Sequence, residues 1–393
     1  MSDHQYPPGN SPRSLILAMC LVVLGAAVAV YGVFTAPERT WPNLLLNGFF
    51  FSSLAVSAVF FLATQRLAGA RWSASLRRIP EAFIPALPVA AALMLVLFFG
   101  WHTIYPWSRA GAFARDSAIA GRGHYLQGPW VLARTAGVFA AWIVFAWLFR
   151  RASWHQDRHP ELSLAMHQRL NRYSVLFVLV FALSFTTGAF DWLISLDPGW
   201  FSTMFAVYVF AGTFVQGIAA VTLAVVMLKD SPLLSRFVTP HHLHDLGKML
   251  FAFSTFWAYI WVCQYLLIWY GNMPDEISHY LKRTSGAWLY LFALNLIVNW
   301  IVPFLALLSV PAKRNPRILK AVCLLLLAGH WLDLYLLIMP ETWTAPRVGF
   351  VELAIAAGYA ALLFLVFARS LRQSPLVPLH DPILAYERLH AHL

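Results

Sequence analysis

The stretch Phe190–Tyr270 decides the fold, because it alternates polar turns with long apolar runs. It opens with FDWLISLDPGWFST (190–203), continues through the apolar run Met204–Leu228 and the histidine-rich link TPHHLHDLGK (239–248), and ends in FAFSTFWAYIWVCQYLLIWY (251–270). A helix needs about 20 apolar residues to cross a bilayer, and these runs are long enough. Polar side chains within such runs are costly in lipid, so they mark candidate functional positions.

The whole chain has the composition of a polytopic membrane protein. Of its 393 residues, 60% are hydrophobic and 11% are charged, and its mean hydropathy is +0.64. Soluble domains carry about 25% charged residues. Backbone polar groups find no partner in lipid, so the spanning runs are predicted to be helices; the two-residue alternation of a membrane barrel is missing.

The basic balance and the cysteines exclude several function classes. The net charge of +11 comes from loop residues that orient the chain in the membrane, so we do not predict a nucleic-acid partner. The three cysteines, Cys20, Cys263 and Cys323, lie in apolar runs without a CxxC pair. This pattern argues against a metal centre or a disulfide framework. Haem held by two histidines needs matched depths, and the depths of His102 and His330 differ.

Ten spans are predicted, which makes the chain an all-α polytopic membrane protein. Their approximate bounds are Leu15–Phe34, Asn43–Thr64, Ala82–His102, Gly128–Phe149, Tyr173–Ile194, Thr203–Leu228, Leu246–Tyr270, Ser285–Val310, Ile318–Met339 and Pro346–Ala368. With both termini placed in the cytoplasm, 20 of the 28 basic residues fall in the inner segments and eight outside. This asymmetry sets the orientation. The predicted organisation is a cytoplasmic tail (1–13), a transmembrane domain (14–369) and a second cytoplasmic tail (370–393), which ends in the amphipathic segment ILAYERLHAHL.

Polar residues near the predicted outer surface form a first candidate group. They end or begin spans, and they comprise Trp101, His102, Arg134, Asp191, Trp192 and Gln264. Ordinary explanations also exist: His102 and Asp191 lie close enough to helix ends to contact headgroups, and Arg134 can extend towards the interface.

A second group of polar residues is distributed from the inner surface across the membrane. It comprises His241, His244, Asp245, Lys248, Gln216, Asn295, His330, Asp333 and Glu352. Asp245 and Lys248 have the spacing of an i,i+3 ion pair, and Asn295 and Asn299 that of hydrogen bonds between helices. His330 and Asp333 share a helical face at a depth that structure alone explains less easily.

The sequences FDWLISLDPGWFSTMFAVYVFAGTF (190–214) and LHDLGKMLFAFSTFWAYIWVCQYLLIWYGNMPDE (243–276) resemble the ActF-type membrane subunits of bacterial alternative complex III, a quinol:cytochrome c or quinol:oxidase oxidoreductase. These subunits belong to the NrfD-like, polysulfide-reductase-type superfamily. The similarity continues through VPFLALLSVPAKRN (302–315), whereas earlier spans agree in number and order.

The resemblance implies two four-helix bundles, from spans two to five and six to nine, with two flanking helices. It implies no haem or iron–sulfur centre in this chain, with quinone or menaquinone as the candidate ligand. The implied partners are a sister NrfD-like membrane subunit, a periplasmic iron–sulfur subunit carrying the clusters, subunits carrying haem c, lipids, quinol and a terminal oxidase. The implied location is the bacterial cytoplasmic (inner) membrane.

The sister subunit, ActC, is the better-supported site of quinol oxidation in the family, and its site histidine and aspartate match His102 and Asp191 here. The family's HDLGK element matches His244, Asp245 and Lys248. Asn299 departs from the histidine expected in many relatives, which puts a relay through that position in doubt.

Two functions follow as hypotheses: a quinol-like pocket formed by the first group, and a transmembrane proton path formed by the second. Asp245 and Gln264 are about 28 Å apart along one helix, so such a path needs ordered water. A free-standing secondary transporter and a purely structural anchor of a redox complex remain alternatives. Helices broken by Gly or Pro in corresponding halves, which would favour a transporter, are missing.

Overall fold

The computed structural model describes residues 12–115, 121–378 and 380–384, and in those ranges the regular structure is helical throughout. In these ranges, ten helices are long and apolar enough to cross a membrane. We number them α1 Pro12–Thr35, α2 Pro37–Leu67, α3 Arg78–Phe99, α4 Gly128–Arg158, α5 Pro160–Leu196, α6 Phe205–Leu228, α7 Pro240–Gly271, α8 Trp288–Ala306, α9 Pro316–Glu341 and α10 Phe350–Leu371. The prediction of an all-α polytopic membrane protein is confirmed.

Each predicted span overlaps one observed helix, and most helices extend into the flanking polar sequence. Prolines begin several of them, as at Pro37 and Pro240, because the first helical position needs no N–H donor. The third span begins and ends earlier in the chain than predicted. It ends at Phe99, Gly100 breaks the helical path, and Trp101–Ile104 forms a separate turn. His102 therefore lies beyond the span rather than inside it.

The helices form two four-membered rings. In the first bundle α2, α3, α4 and α5 pack in a closed ring, and in the second bundle α6, α7, α8 and α9 do the same. Contacts between α2 and α6 join the bundles. The predicted architecture of two four-helix bundles with two flanking helices agrees with these contacts.

The flanking helices α1 and α10 pack closely against each other. A Cβ atom on Gly25 of α1 would lie 2.8 Å from Cα of Gly358 on α10, so both positions require glycine. Small residues at such crossings let two backbones approach, which favours helix association in lipid. The pair α1–α10 then packs against α2.

The eighth span contains an irregular turn. Residues Ile297–Ile301 form a π-helix between the α-helical parts of α8, with Asn299 at its centre. A Cβ atom on Gly329 of α9 would lie 2.3 Å from Asn299 Oδ1, so glycine makes room for the amide. Short π-helical turns occur frequently at functional sites.

Part of the predicted C-terminal tail packs against the helices. Leu376 and Val377 are buried, and Asp381 pairs with Arg77 just before α3. Residue 379 and residues 385–393, which hold most of the predicted amphipathic segment, lie outside the described residues, as do residues 1–11 of the N-terminal tail.

Candidate functional site

The end of α5 carries a buried carboxylate that is bound by an arginine of α4. Arg134 Nε lies 2.7 Å from Asp191 Oδ2, and Arg134 Nη2 lies 3.0 Å from Asp191 Oδ1. The Asp191 side chain is 1% exposed and the Arg134 side chain 23% exposed, so the pair is reachable from the arginine side. A bidentate pair of this geometry fixes the orientation of both groups.

Two tyrosines from the connection between α3 and α4 border this ion pair. The Arg134 guanidinium lies 3.9 Å from the ring centroid of Tyr125, and Arg134 Nη2 donates to the Tyr125 carbonyl oxygen at 3.0 Å. Burial and the Asp191 carboxylate raise the pKa of Tyr125 to about 12, and the same two causes raise the pKa of Tyr105. Both hydroxyls are therefore protonated at neutral pH and can donate hydrogen bonds. Sequence periodicity could not identify them, because a connection has none.

The other predicted members of the outer group point to different places. The Trp192 indole donates to Thr135 Oγ1 at 2.9 Å, and Trp101 packs against Gly128 at the start of α4. His102 is exposed, and its Nδ1 lies 2.7 Å from the carbonyl oxygen of Ser108. In the part of the chain that is described, the side-chain hydrogen bond of His102 therefore stays within its own connection and does not reach Asp191.

Gln264 belongs to the second bundle. Its Nε2 donates to Ser202 Oγ at 3.2 Å, and its side chain lines a small cavity together with Asn295 and Asp333. The structure thus separates Gln264 from the Arg134–Asp191 pair and adds it to the polar residues of the second bundle.

Asp333 of α9 is the centre of these polar residues. Tyr208 of α6 donates to Asp333 Oδ1 through its hydroxyl, Asn295 of α8 donates to the same oxygen at 2.7 Å, and Trp257 of α7 donates to Asp333 Oδ2 at 3.1 Å. Every helix of the second bundle thus contributes to this site. Asp333 is 5% exposed, and none of its hydrogen-bond donors among the described residues is a lysine or arginine.

Two neighbours extend this site away from the carboxylate. Asn299 Nδ2 donates to Asn295 Oδ1 at 2.7 Å, so the π-helical turn is linked to Asp333 through one amide. His330 Nδ1 lies 4.0 Å from Asp333 Oδ2, beyond hydrogen-bond distance. Both ring nitrogens of His330 are buried and have no hydrogen-bond partner among the described residues. A buried polar atom without a partner is costly, so His330 is a candidate for a functional role.

A small cavity lies between Asp333 and Arg283. It leaves about 20 Å³ for the centre of a water molecule, which is room for one water. Its polar lining comes from both ends of the site: Tyr208, Gln264, His279, Tyr280, Arg283, Asn295 and Asp333. The side chains of Asp333 and Arg283 therefore line the same cavity.

Beyond the cavity lies a charged cluster that the sequence did not reveal. Lys282 Nζ lies 2.9 Å from Asp197 Oδ2 and 2.6 Å from Glu341 Oε2, and Arg283 Nη2 lies 2.9 Å from Glu341 Oε1. The positive residues come from the short helix Pro274–Thr284, which connects α7 and α8. Asp197 directly follows α5 and Glu341 is the last residue of α9, so no local pattern marks the cluster.

The buried histidine of this cluster is His279, whose ring stacks on Trp200 with centroids 3.9 Å apart. Burial, followed by the charges of Arg283 and Lys282, lowers the pKa of His279 well below its ordinary value. Burial acts to lower the pKa of Lys282, but the Glu341 and Asp197 carboxylates outweigh it and raise that pKa. At neutral pH the cluster therefore contains a neutral histidine and a charged lysine.

Three ligand atoms in this cluster lie close enough together to hold a metal ion. Those of Asp197, His279 and Glu341 lie within 4.8 Å of one another. However, the Lys282 ammonium already contacts both carboxylates, and a cation would have to displace it. We therefore interpret the cluster as an ion-pair network rather than as a metal centre.

The candidates at the predicted inner surface are separated from Asp333. Asp245 Oδ1 pairs with Lys248 Nζ at 2.6 Å near the start of α7, and His241 nearby is exposed. His244 Nδ1 is buried without a partner among the described residues. Along α7 the distance from Asp245 to the level of Trp257 is about 18 Å. Direct proton transfer across that distance is impossible.

Gln216 and Glu352 have local structural partners. Gln216 Nε2 donates to the Phe50 carbonyl oxygen at 3.2 Å, which joins α6 to α2 and hence the two bundles. Glu352 forms a bidentate pair with Arg39, in which both N–O distances are 2.7 Å. That pair ties α10 to α2. Neither residue is among those that bond directly to Asp333.

Comparison of the chain with models of known protein families and with curated proteins finds no match.

Proposed function

We propose that this chain is a subunit of a respiratory quinol:cytochrome c or quinol:oxidase oxidoreductase in the bacterial cytoplasmic membrane, and that its second bundle transfers protons through Asp333. The observation that carries the proton-transfer proposal is a membrane-embedded carboxylate held from the other three helices of its bundle by neutral donors. The resemblance of residues 190–276 to ActF-type subunits supports the proposal that the chain belongs to this complex. The electron-carrying partners would be an iron–sulfur subunit and c-type cytochromes, beside the sister membrane subunit.

Asp333 differs from Asp191 and Glu352, which are also buried, in the groups that hold its carboxylate. Asp191 and Glu352 are each paired bidentately with an arginine, so protonating either would leave a poorly compensated cation. Protonating Asp333 leaves no such cation, because its partners are a phenol, an indole and an amide. The Tyr208 hydroxyl can both donate and accept, so it can serve the carboxylate and the carboxylic acid alike.

The proton route would run outward from Asp333 through the small cavity to the cluster at Glu341. The cavity provides room for one water between Asp333 and the Arg283 side. Towards the predicted inner surface, His330 and the amides Asn295 and Asn299 would share ordered water with the residues around His244. That half of the route needs several waters, since about 18 Å separates Asp245 from the level of Trp257.

A second candidate function is a quinol-like pocket at the Arg134–Asp191 pair. It is favoured by the partial exposure of Arg134 and Tyr125 beside an otherwise buried carboxylate. A quinol hydroxyl needs a hydrogen-bonding acceptor with apolar walls around the ring. The Tyr105 hydroxyl donates to the Trp192 carbonyl oxygen next to Asp191, while His102 lies in the neighbouring turn.

The proton-transfer proposal is tested in the assembled complex reconstituted into proteoliposomes. Protons released outside per electron would be measured alongside quinol oxidation for wild type and Asp333→Asn. The expected result is that Asp333→Asn oxidises quinol at a rate near that of wild type. It should release only the protons that come from quinol itself, without the additional translocated protons. Asp230→Asn is the matched control, because Asp230 is exposed and pairs with its neighbour Lys229.

Two results would overturn the proposal. Unchanged proton stoichiometry in Asp333→Asn would exclude a role for this carboxylate. Absence of any excess protons in wild type would show that the complex does not pump. A chain that purifies active without cytochromes or iron–sulfur protein would instead support a free-standing transporter, and variants that impair only assembly would support a structural anchor.

A further inference from the structure

An apolar groove of about 930 Å³ lies beside α10. Helix α10 packs chiefly on α1 and α2, and the groove lies on its other side, facing α6 and α9. Its floor is formed by Phe50, Phe51 and Leu54 of α2. The groove is thus separate from the Asp333 site and from the Arg134–Asp191 pair.

Small residues keep the groove open along much of the membrane. On α10 they are Ala356, Ala357 and Ala360, and on α6 they are Ala220 and Ala224. The lining on α10 extends from Leu353 to Arg372, a distance of about 28 Å along the helix. This exceeds half of the roughly 30 Å hydrocarbon thickness of a bilayer, so an acyl chain from one leaflet fits lengthwise in the groove, parallel to the helices.

One end of the groove is positively charged. Arg372, the residue that follows α10, is exposed and lines the groove at the end that charge counting places in the cytoplasm. Among the described residues no carboxylate pairs with its guanidinium. Arg369 lies one turn earlier on α10 and is exposed, but it does not line the groove. The apolar walls therefore end at a guanidinium that has no acidic counterpart in the described ranges.

We infer that the groove binds an anionic phospholipid from the cytoplasmic leaflet, with its phosphate at Arg372 and one acyl chain between α10 and α6. An arginine binds phosphate through paired N–H donors. The lining favours the cytoplasmic half, because Phe83, Met227, Leu228, Phe367, Ala368 and Leu371 all lie at that end of their helices. The inference is independent of the proton-transfer proposal.

The test is native mass spectrometry of the purified protein, alone or in its complex, after incubation with equal amounts of phosphatidylglycerol and phosphatidylcholine of identical chains. Wild type is expected to retain phosphatidylglycerol preferentially. Arg372→Gln should lower that preference about fivefold, the effect expected for one basic residue near an anionic lipid surface. Arg369→Gln is the matched control, with one charge removed from the same helix outside the groove.

A second variant tests the apolar part of the site. Ala224→Phe places a ring in the groove and should reduce the retention of both lipids, whereas Val144→Phe adds similar bulk to an exposed position on α4 and should not. Equal losses in Arg372→Gln and Arg369→Gln would overturn the inference. So would retention of a quinone or of neutral lipid alone, or a groove in the assembled complex filled by a partner helix without lipid.

Discussion

The hydroxyl of Tyr208 donates to the carboxylate of Asp333 across the contact between α6 and α9. The Trp257 indole and the Asn295 amide complete a set of neutral donors around the same carboxylate. A neutral set of donors stabilises the charged form by hydrogen bonding without an ion pair. The three contacts therefore fix the orientation of the Asp333 carboxylate without placing a cation against it.

Tyr208→Phe is expected to impair proton transfer more than assembly. The substitution keeps the ring packing but removes the hydroxyl that donates to Asp333, a group that can both donate and accept. A hydrogen bond to a charged group contributes about 1.5–3 kcal/mol, so we expect transfer to slow about tenfold or more. The measurement is proton release per electron in proteoliposomes.

The control for this variant is Tyr359→Phe, because Tyr359 stacks on Phe51 and does not line the cavity at Asp333. If Tyr208→Phe and Tyr359→Phe translocate protons equally well, the hydroxyl has no part in the route.

Arg134→Gln should destabilise the protein by leaving the Asp191 carboxylate buried without its cation. Removing one partner of a buried ion pair costs about 3–5 kcal/mol, and the 23% exposure of Arg134 puts the effect at the lower end. The double variant Arg134→Gln/Asp191→Asn should be less destabilised than the sum of the single variants, because no charge is left unpaired. The free energies of unfolding of wild type, both single variants and the double variant would be measured by chemical denaturation in detergent. Additive effects would show that the two side chains do not interact.

The fold was predictable because lipid imposes helices of a minimum length and loops of biased charge. The ten spans, and from the family resemblance their grouping into two bundles, could be stated before the structure was known. The end of the third span could not, because Trp101 and His102 continue the apolar run after the break at Gly100. Hydropathy alone does not register a change of backbone direction.

The candidate sites were predictable only in part. Depth in the membrane singled out Asp333, His330 and Asn295, but Tyr208 and Trp257 look like packing residues in any apolar run. The partner of Glu352 is Arg39, which is 313 residues away in the chain, and only the tertiary structure brings the two together. The Lys282 cluster escaped prediction for the same reason, since its members come from the α7–α8 connection, from the residue after α5 and from the end of α9.

Glu352→Gln is expected to weaken the attachment of α10 rather than to change proton transfer. Glu352 binds Arg39 through both carboxylate oxygens and also accepts from the Gly349 amide at 2.8 Å, at the start of α10. Loss of the charge should lower the free energy of unfolding by about 1.5–3 kcal/mol, the contribution of a charged hydrogen bond. Protons per electron in the assembled complex should equal wild type, unlike the result for Asp333→Asn. A normal stability combined with lost translocation would instead place Glu352 on the proton route.

Because of His279, we expect the protein to be less stable in mild acid than at neutral pH. It is buried on Trp200, faces the positive Arg283 and Lys282 as well as the acidic Glu341, and has a folded-state pKa well below the ordinary value of 6.5. The unfolded chain therefore binds one more proton than the folded chain between the folded pKa and 6.5. The contribution of the neutral, buried His279 to the free energy of unfolding is fully present above pH 6.5. It declines as the pH falls below 6.5, by about 1.4 kcal/mol per pH unit.

The measurement is denaturant unfolding in detergent at about pH 7.5 and 5.5. These two pH values bracket the ordinary pKa of histidine, and both lie above the pKa of most carboxylates. Wild type should lose about 1.4 kcal/mol more than His279→Gln between these conditions, because the variant has no proton to bind at this position. His102→Gln is the control, since His102 is exposed and should leave the acid sensitivity as in wild type. Equal losses in wild type and His279→Gln would show that His279 is not held neutral by its surroundings, and the acid sensitivity would then have to come from the carboxylates that Lys282 and Arg283 bind.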